Sequence, residues 1–249
     1  MAKVKTGMKV DQLDNPEVES SNHLWRGMAH VYVKAQRVTG MRLVLHEYLA
    51  ARLANSCGIP VPFGDITSLP EGREAWVSGI TSRDGKILPP PQISSLVTSE
   101  RHALSGILVF DQWIFNGDRD AKNLIWSSDI GLWAIDHELA FCGPREEDAA
   151  EWLDENHALT LRYGHWSSLG LTDADFSPWV NHIRAHGAAH ADRAIESAHK
   201  RGLGTRDSLR PYKDFLKERA NNLVVLMRNS RISAGYMPNQ SDASMDELF

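Results

Sequence analysis

The chain has 249 residues, of which 42% are hydrophobic and 24% charged, with a formal net charge of -5. This is an ordinary globular balance, enough for one sizeable core or two lobes, and the charge carries no whole-molecule signature of nucleic-acid binding. Two cysteines, Cys57 and Cys142, are too few and too far apart for a disulfide framework or a cysteine-rich zinc cluster.

The opening stretch MAKVKTGMKVDQ lacks the apolar core of a signal peptide. No apolar run approaches the roughly 18 residues of a membrane helix, so a cytoplasmic protein without membrane partners is expected. Residues 1–19 are polar and read as a flexible N-terminus. AHVYVKA (29–35) alternates β-formers and polar residues and predicts a strand, with Val31 and Val33 on one face and Tyr32 and Lys34 on the other. TGMRLVLHEYLAARLANSCGIPVP (39–62) predicts a helix, because Leu45, Leu49 and Leu53 recur every four residues. Gly58 suits a C-terminal cap there, and Pro60 and Pro62 forbid continuation.

FGDITSL and EAWVSGI read as two more strands, and DGKILPPPQ as a turn and proline-rich connector. TSERHALSGILVFDQWIF (98–115) is a strongly apolar helix. NLIW and LWAID then form a hairpin around SSDIG, and residues 146–229 are mostly helical. The expected class is α+β and bilobal: a small strand-rich lobe with one helix (20–90), a larger helical lobe (91–232), and a flexible tail (233–249).

NGDRDAKNLIW (116–126) places charged groups between two stretches suited to burial. Asp118 precedes Asn123 by five positions, and a tight hairpin after Asn123 returns Asp136 to its side. Phosphoryl transfer needs such a set: oxygen ligands for magnesium, charge neutralisation, and a carboxylate at the attacking hydroxyl. Taken alone, D-x-x-x-x-N is a weak motif that a capped, solvated loop would also satisfy. Taken singly, Lys34 reads as a surface strand lysine and Glu47 as a solvated helix residue; on a partly enclosed face, Lys34 needs an anion. Glu47, on the helix beside Leu43 and Ala51, could hold it against two phosphates. Strand lysine, helix glutamate, D-x-x-x-x-N after a helix and hairpin aspartate form the linear order of a protein-kinase-like fold.

FDQWIFNGDRDAKNLIW followed by AIDHELAF resembles the catalytic and metal-binding segments of HipA-like kinases, atypical relatives of the phosphatidylinositol 3/4-kinases. YVKA with LHEYLAARLANSCGIPVP resembles their front segment, and the likeness runs in segments over residues 20–141. The resemblance implies that Lys34 contacts ATP phosphates, Glu47 orients it, Asp118 is the catalytic base, and Asn123 and Asp136 bind magnesium. Arg119 and Lys122 would lie in the catalytic loop, steadying the γ-phosphate or the loop. Ser21 falls, with Ser20, in the phosphate-covering segment (19–27), where the family suggests self-inhibitory phosphorylation. Trp76 lies near the segment expected to receive adenine.

Asp120 stands where the family commonly has His. The phosphate-covering segment carries only Gly27, and the chain is shorter than full HipA proteins. The implied activity is transfer of the γ-phosphate of Mg-ATP to a hydroxyl, above all a serine or threonine of a protein substrate, with a regulatory protein partner as a further expectation. One rival is a small-molecule phosphotransferase: NGDRDAKN with AIDHELA also resembles aminoglycoside and choline kinases, with Asn116 in place of their His. The other is a non-catalytic kinase-shaped module.

His182, His186 and His190 recur every four residues and would share one helix face, a spacing able to hold zinc. No cysteine lies nearby in the sequence, no H-E-x-x-H occurs, and Gly187 weakens the helix. A solvated or partly buried histidine face is therefore the expectation. Trp113, Trp126 and Trp133 are expected to pack beneath the hairpin.

Overall fold

The computed structural model describes residues 10–14, 26–29, 31–35, 42–79, 88–145, 147–162 and 164–233. Strand β1 (Val10–Asp14) pairs antiparallel with β2 (Arg26–Ala29). Strand β3 (Val31–Ala35) carries Lys34. Helix α1 (Leu43–Cys57) follows and ends where the sequence predicts, with Gly58 at φ 75°. That left-handed turn costs glycine nothing and lets the amide of Ile59 reach back to the carbonyl of Ala54 at 2.9 Å.

Strands β4 (Gly64–Ser68) and β5 (Glu74–Gly79) complete a three-stranded antiparallel sheet in the order β3-β5-β4. Its register sets Trp76 of β5 opposite both Lys34 of β3 and Ile66 of β4. Directly opposite residues share a face of a sheet, so the indole and the ammonium lie together.

The apolar stretch expected as one helix is two. Helix α2 (Ile93–Ser99) stops at Glu100, and α3 (Arg101–Ile114) runs on from it. The side chains of α3 from Leu104 to Ile114 are all buried. Its C-terminus is held by Arg219, itself fully buried, whose guanidinium donates to the carbonyls of Gln112 and Trp113. A cation at the carbonyl end of a helix satisfies groups that have no partner within it and complements the helix dipole. The chain leaves α3 through Phe115 at φ 56° and enters the charged loop.

Strands β6 (Leu124–Ser127) and β7 (Gly131–Ala134) form the predicted hairpin. The Ala134 amide donates to the carbonyl of Pro60 at 2.9 Å, tying the hairpin to the segment that leaves α1. Helices α4 (Ala149–Asn156), α5 (Asp173–Lys200), α6 (Arg206–Asn221) and α7 (Leu223–Ser233) make up the rest. Helix α5 packs against α1, α3 and α6.

Gly187 does not interrupt α5. It marks a close approach instead: a Cβ there would lie 2.9 Å from Cβ of Ala220 on α6 and 3.2 Å from the Trp113 ring. Trp113 is fully buried at this crossing and donates to the carbonyl of Leu216. It packs among α3, α5 and α6 rather than beneath the hairpin. Trp126 and Trp133 do belong to the hairpin, where their indoles bond Glu100 and the carbonyl of Ile130. Among the described residues, no helix is long and apolar enough to cross a membrane.

Candidate active site

The loop after α3 is anchored by a buried ion pair. Asp111, on the last turns of α3, takes Nε of Arg119 at 2.8 Å on one carboxylate oxygen and Nη2 at 3.1 Å on the other. Both side chains are at most 4% exposed. The Asn116 amide adds a third donor to Asp111. The remaining guanidinium nitrogen of Arg119 donates to the carbonyls of Asn123 at 2.6 Å and Ile135 at 2.7 Å. One planar cation thus fixes both the end of the loop and the end of β7, which suits the fork geometry of arginine. Of the two roles implied for Arg119, the geometry is that of steadying the loop. Asn116 is likewise committed to Asp111.

This anchoring brings Asn123 beside Asp136. The Ile135 amide donates to the Asn123 carbonyl at 3.1 Å. The Asn123 side-chain amide donates to the backbone carbonyl of Asp118 at 2.7 Å and to its carboxylate at 3.2 Å. Its amide nitrogen is spent on Asp118, which leaves its oxygen as a neutral donor for a hard cation. Asp136 sits at φ 63°, a left-handed conformation uncommon outside glycine and held here by the bonds of Ile135. Backbone outliers of this kind cluster at functional sites.

Lys34 reaches the same place from the sheet. Its ammonium lies 2.6 Å from Glu47, 2.7 Å from Asp136 and 3.5 Å from Glu138. The predicted strand–helix pair of Lys34 and Glu47 therefore exists and includes Asp136, 102 positions further on. Burial pulls the ammonium pKa down, but the charges of Glu47 and Asp136 outweigh it and the net shift is upward. Burial pushes Glu47 up, yet the contacts with His137 and Lys34 prevail and hold it down at about 2. Glu138 is raised, by burial first and then by the neighbouring Asp136 charge.

A cleft of about 410 Å³ opens over this cluster, lined by Lys34, Glu47, Trp76, Lys122 and Asp136 among others. Asp118 and Asn123 lie outside that lining and connect to it through the backbone of Ile135. Lys122 is exposed and pairs with Asp120 at 3.1 Å. Asp120, which departs from the family's usual His, caps the short 3-10 turn Ala121–Asn123 by accepting from the Lys122 amide. Ser20 and Ser21 fall outside the described residues.

Sequence reasoning missed four members of this site. Glu138 follows Asp136 by two positions, and one ligand oxygen from each of Glu47, Asp136 and Glu138 lies within 4.8 Å of the others. His137 is buried and lies 3.0 Å from Nη2 of Arg119 and 3.8 Å from Glu47. His46 is fully buried, donates Nδ1–H to the Glu138 carbonyl at 2.9 Å, and accepts from the Tyr212 hydroxyl on Nε2. Asp111 had a visible signal, an acidic residue inside the apolar run SGILVFDQWIF. Histidine pairing across 92 and 166 positions had none.

The fold is similar to that of the Helicobacter pylori proinflammatory kinase CtkA, with a TM-score of 0.59 over 89% of this chain and 96% of that one, at 11% sequence identity. The HipA of a Shewanella oneidensis MR-1 toxin–antitoxin complex with HipB and operator DNA aligns with a TM-score of 0.46 over 93% of this chain and 67% of that one, at 14% identity. No curated protein matches the sequence. The family model described as HipA-like kinase matches residues 27–168. That span is more than half of the chain and includes Lys34, Glu47, the charged loop and the hairpin aspartate, and the chain belongs to the HipA-like kinase family.

Proposed function

We propose that this chain is an ATP- and magnesium-dependent kinase that phosphorylates a serine or threonine hydroxyl on a protein. The observation that carries the reading is the convergence of Lys34, Glu47 and Asp136, from a strand, a helix and the end of a hairpin, around one cleft. On this reading the strand-rich front (20–90) and the helical rear (91–232) act as two lobes with the nucleotide between them.

The donor set fits the nucleotide and its cation. Three carboxylates face one ammonium, so the cluster carries excess negative charge supplied by hard oxygens, as magnesium prefers. The cleft volume lies in the range of small-molecule sites, and the buried Trp76 gives it an apolar wall. Asp136 and the Asn123 amide oxygen would hold the cation, with Glu138 as an additional oxygen beside them. When bound, Mg-ATP supplies the transferable phosphoryl group and the charge that masks its oxygens.

The chain's own residues do the rest. Glu47 keeps Lys34 charged and aimed into the cleft, and Lys34 exchanges its Asp136 contact for phosphate oxygens. Asn123 fixes the rotamer of Asp118 by donating to it, so that the carboxylate can accept the proton of the attacking hydroxyl. Arg119 holds the loop and the hairpin at a constant spacing. Transfer in this class depends on positioning and charge more than on covalent chemistry, which is why so much of the site is anchoring.

The test is incubation with γ-labelled ATP and magnesium alongside a cell lysate, followed by mass spectrometry. Label should appear on serine or threonine of protein. Label confined to small molecules would overturn the acceptor assignment, and its absence from a folded, nucleotide-binding chain would overturn the activity. Asp118→Asn should lower turnover by at least about 100-fold while nucleotide affinity measured by calorimetry stays within a few-fold.

A further inference from the structure

The three histidines on α5 do not stand alone. Cys57, the last residue of α1, is brought against them by the packing of α1 on α5. Its Sγ and one ring nitrogen each of His182 and His190 lie within 4.8 Å of one another. The rings of His182 and His190 are nearly parallel with centroids 5.6 Å apart, although eight positions separate them. His186 lies between, its ring 5.0 Å from that of His182 and 6.1 Å from that of His190. Nε2 of His182 and Nε2 of His190 are both buried without a hydrogen-bond partner, and His190 is only 8% exposed. Buried polar nitrogens are nearly always bonded, so two bare ones on histidines clustered with a thiol call for a ligand.

We propose that Cys57, His182 and His190 form a binding site for a zinc-class divalent cation, with the exposed His186 on its solvent side as the fourth ligand. Thiolate and imidazole together select borderline metals in tetrahedral geometry. Metal–ligand bonds near 2.0–2.3 Å place donor atoms roughly 3.3–3.6 Å apart, so Cys57, His182 and His190, within 4.8 Å of one another, have to close by about 1.5 Å at most. The C-terminal end of α1 also favours a cation through its helix dipole. Arg193 donates to Nδ1 of His190, which puts the ring proton on Nε2 in the metal-free chain. Binding takes the Nε2 lone pair, moves that proton to Nδ1 and turns the exposed Arg193 away, while the thiol proton of Cys57 leaves to solvent. The ion would cross-link α1 to α5 about 15 Å along the helix from Glu47, separate from the phosphoryl-transfer site. Its role is to fix the helix that presents Glu47.

The experiment uses the full chain, stripped with a chelator and titrated with Co²⁺. One equivalent should bind with tetrahedral d–d absorption and a thiolate-to-cobalt charge-transfer band, and Zn²⁺ should displace it. Cys57→Ser should lose the charge-transfer band and bind at least about tenfold more weakly. The double variant His182→Gln/His190→Gln should lose stoichiometric binding, with circular dichroism confirming the fold of each. Zn²⁺ should raise the melting temperature of the parent chain and leave that of the double variant unmoved. No stoichiometric uptake by the folded parent chain, or uptake that Cys57→Ser and the double variant both leave unchanged, overturns the site. None of these readouts uses kinase activity.

Discussion

Asp111 and Arg119 show how a single residue far from any ligand can decide whether a site exists. Arg119 makes two bonds to the Asp111 carboxylate and two to carbonyls that flank the candidate metal residues. A buried ion pair contributes modest net stability, because desolvation cancels much of the attraction. Removing one partner is far worse, since it strands the other charge. Asp111→Ala should therefore cost about 3–5 kcal/mol, measured by urea unfolding, and should abolish nucleotide binding in whatever fraction stays folded. A loss below about 1 kcal/mol would mean that the loop is held by something else.

Among the elements, α5 is the one against which α1, α3 and α6 pack, and Gly187 tests what governs it. Helix propensity favours alanine over glycine by about 1 kcal/mol. Packing opposes the change, because the added Cβ would meet the Cβ of Ala220 at 2.9 Å, an atom that moves only with its backbone. Overpacking of this kind costs about 1–3 kcal/mol, so packing should win and Gly187→Ala should lower the melting temperature. A more stable variant would show that α5 and α6 are free to separate. At its N-terminus, α5 carries a Thr172–Asp175 capping box, and Asp175 also pairs with Arg101 at the start of α3. The two helices are thus registered at one end by charge and at the crossing by a missing side chain.

For the whole molecule, two buried groups beside the site contribute to the response to acid. Burial lowers His46 to about 4, with the Glu138 carbonyl offsetting only part of the effect, so His46 is neutral in the folded chain at pH 7. Its unfolded value near 6.5 means that the unfolded state binds more protons as pH falls. Stability from this group is present above pH 6.5 and lost towards pH 4. Glu47, held at about 2, acts with the same sign at lower pH: its contribution is present above about 4.5 and lost as pH approaches 2. Between pH 7.5 and 5 His46 alone should remove about 2 kcal/mol, read as a fall in the urea midpoint. His46→Asn should flatten that slope, and an unchanged slope would assign the acid response elsewhere.

The sequence by itself determined most of the elements and the charged residues that line the cleft. Leucine spacing and Gly58 defined α1, alternation defined β3, and D-x-x-x-x-N with a short hairpin brought Asp118, Asn123 and Asp136 into one neighbourhood. These are local regularities, and local geometry follows from periodicity and turn chemistry. Tertiary structure alone decided what stands between those residues. It routed Arg119 to two carbonyls, set Glu138 beside Lys34 and His137 between Arg119 and Glu47, and threaded His46 between Glu138 and Tyr212. It also carried Cys57 to a histidine face expected to be solvated or partly buried, and turned Gly187 from a weak point into a packing contact. Each of these joins side chains on different elements. Such contacts depend on how helices cross and which faces are buried, and no single segment of the chain records that.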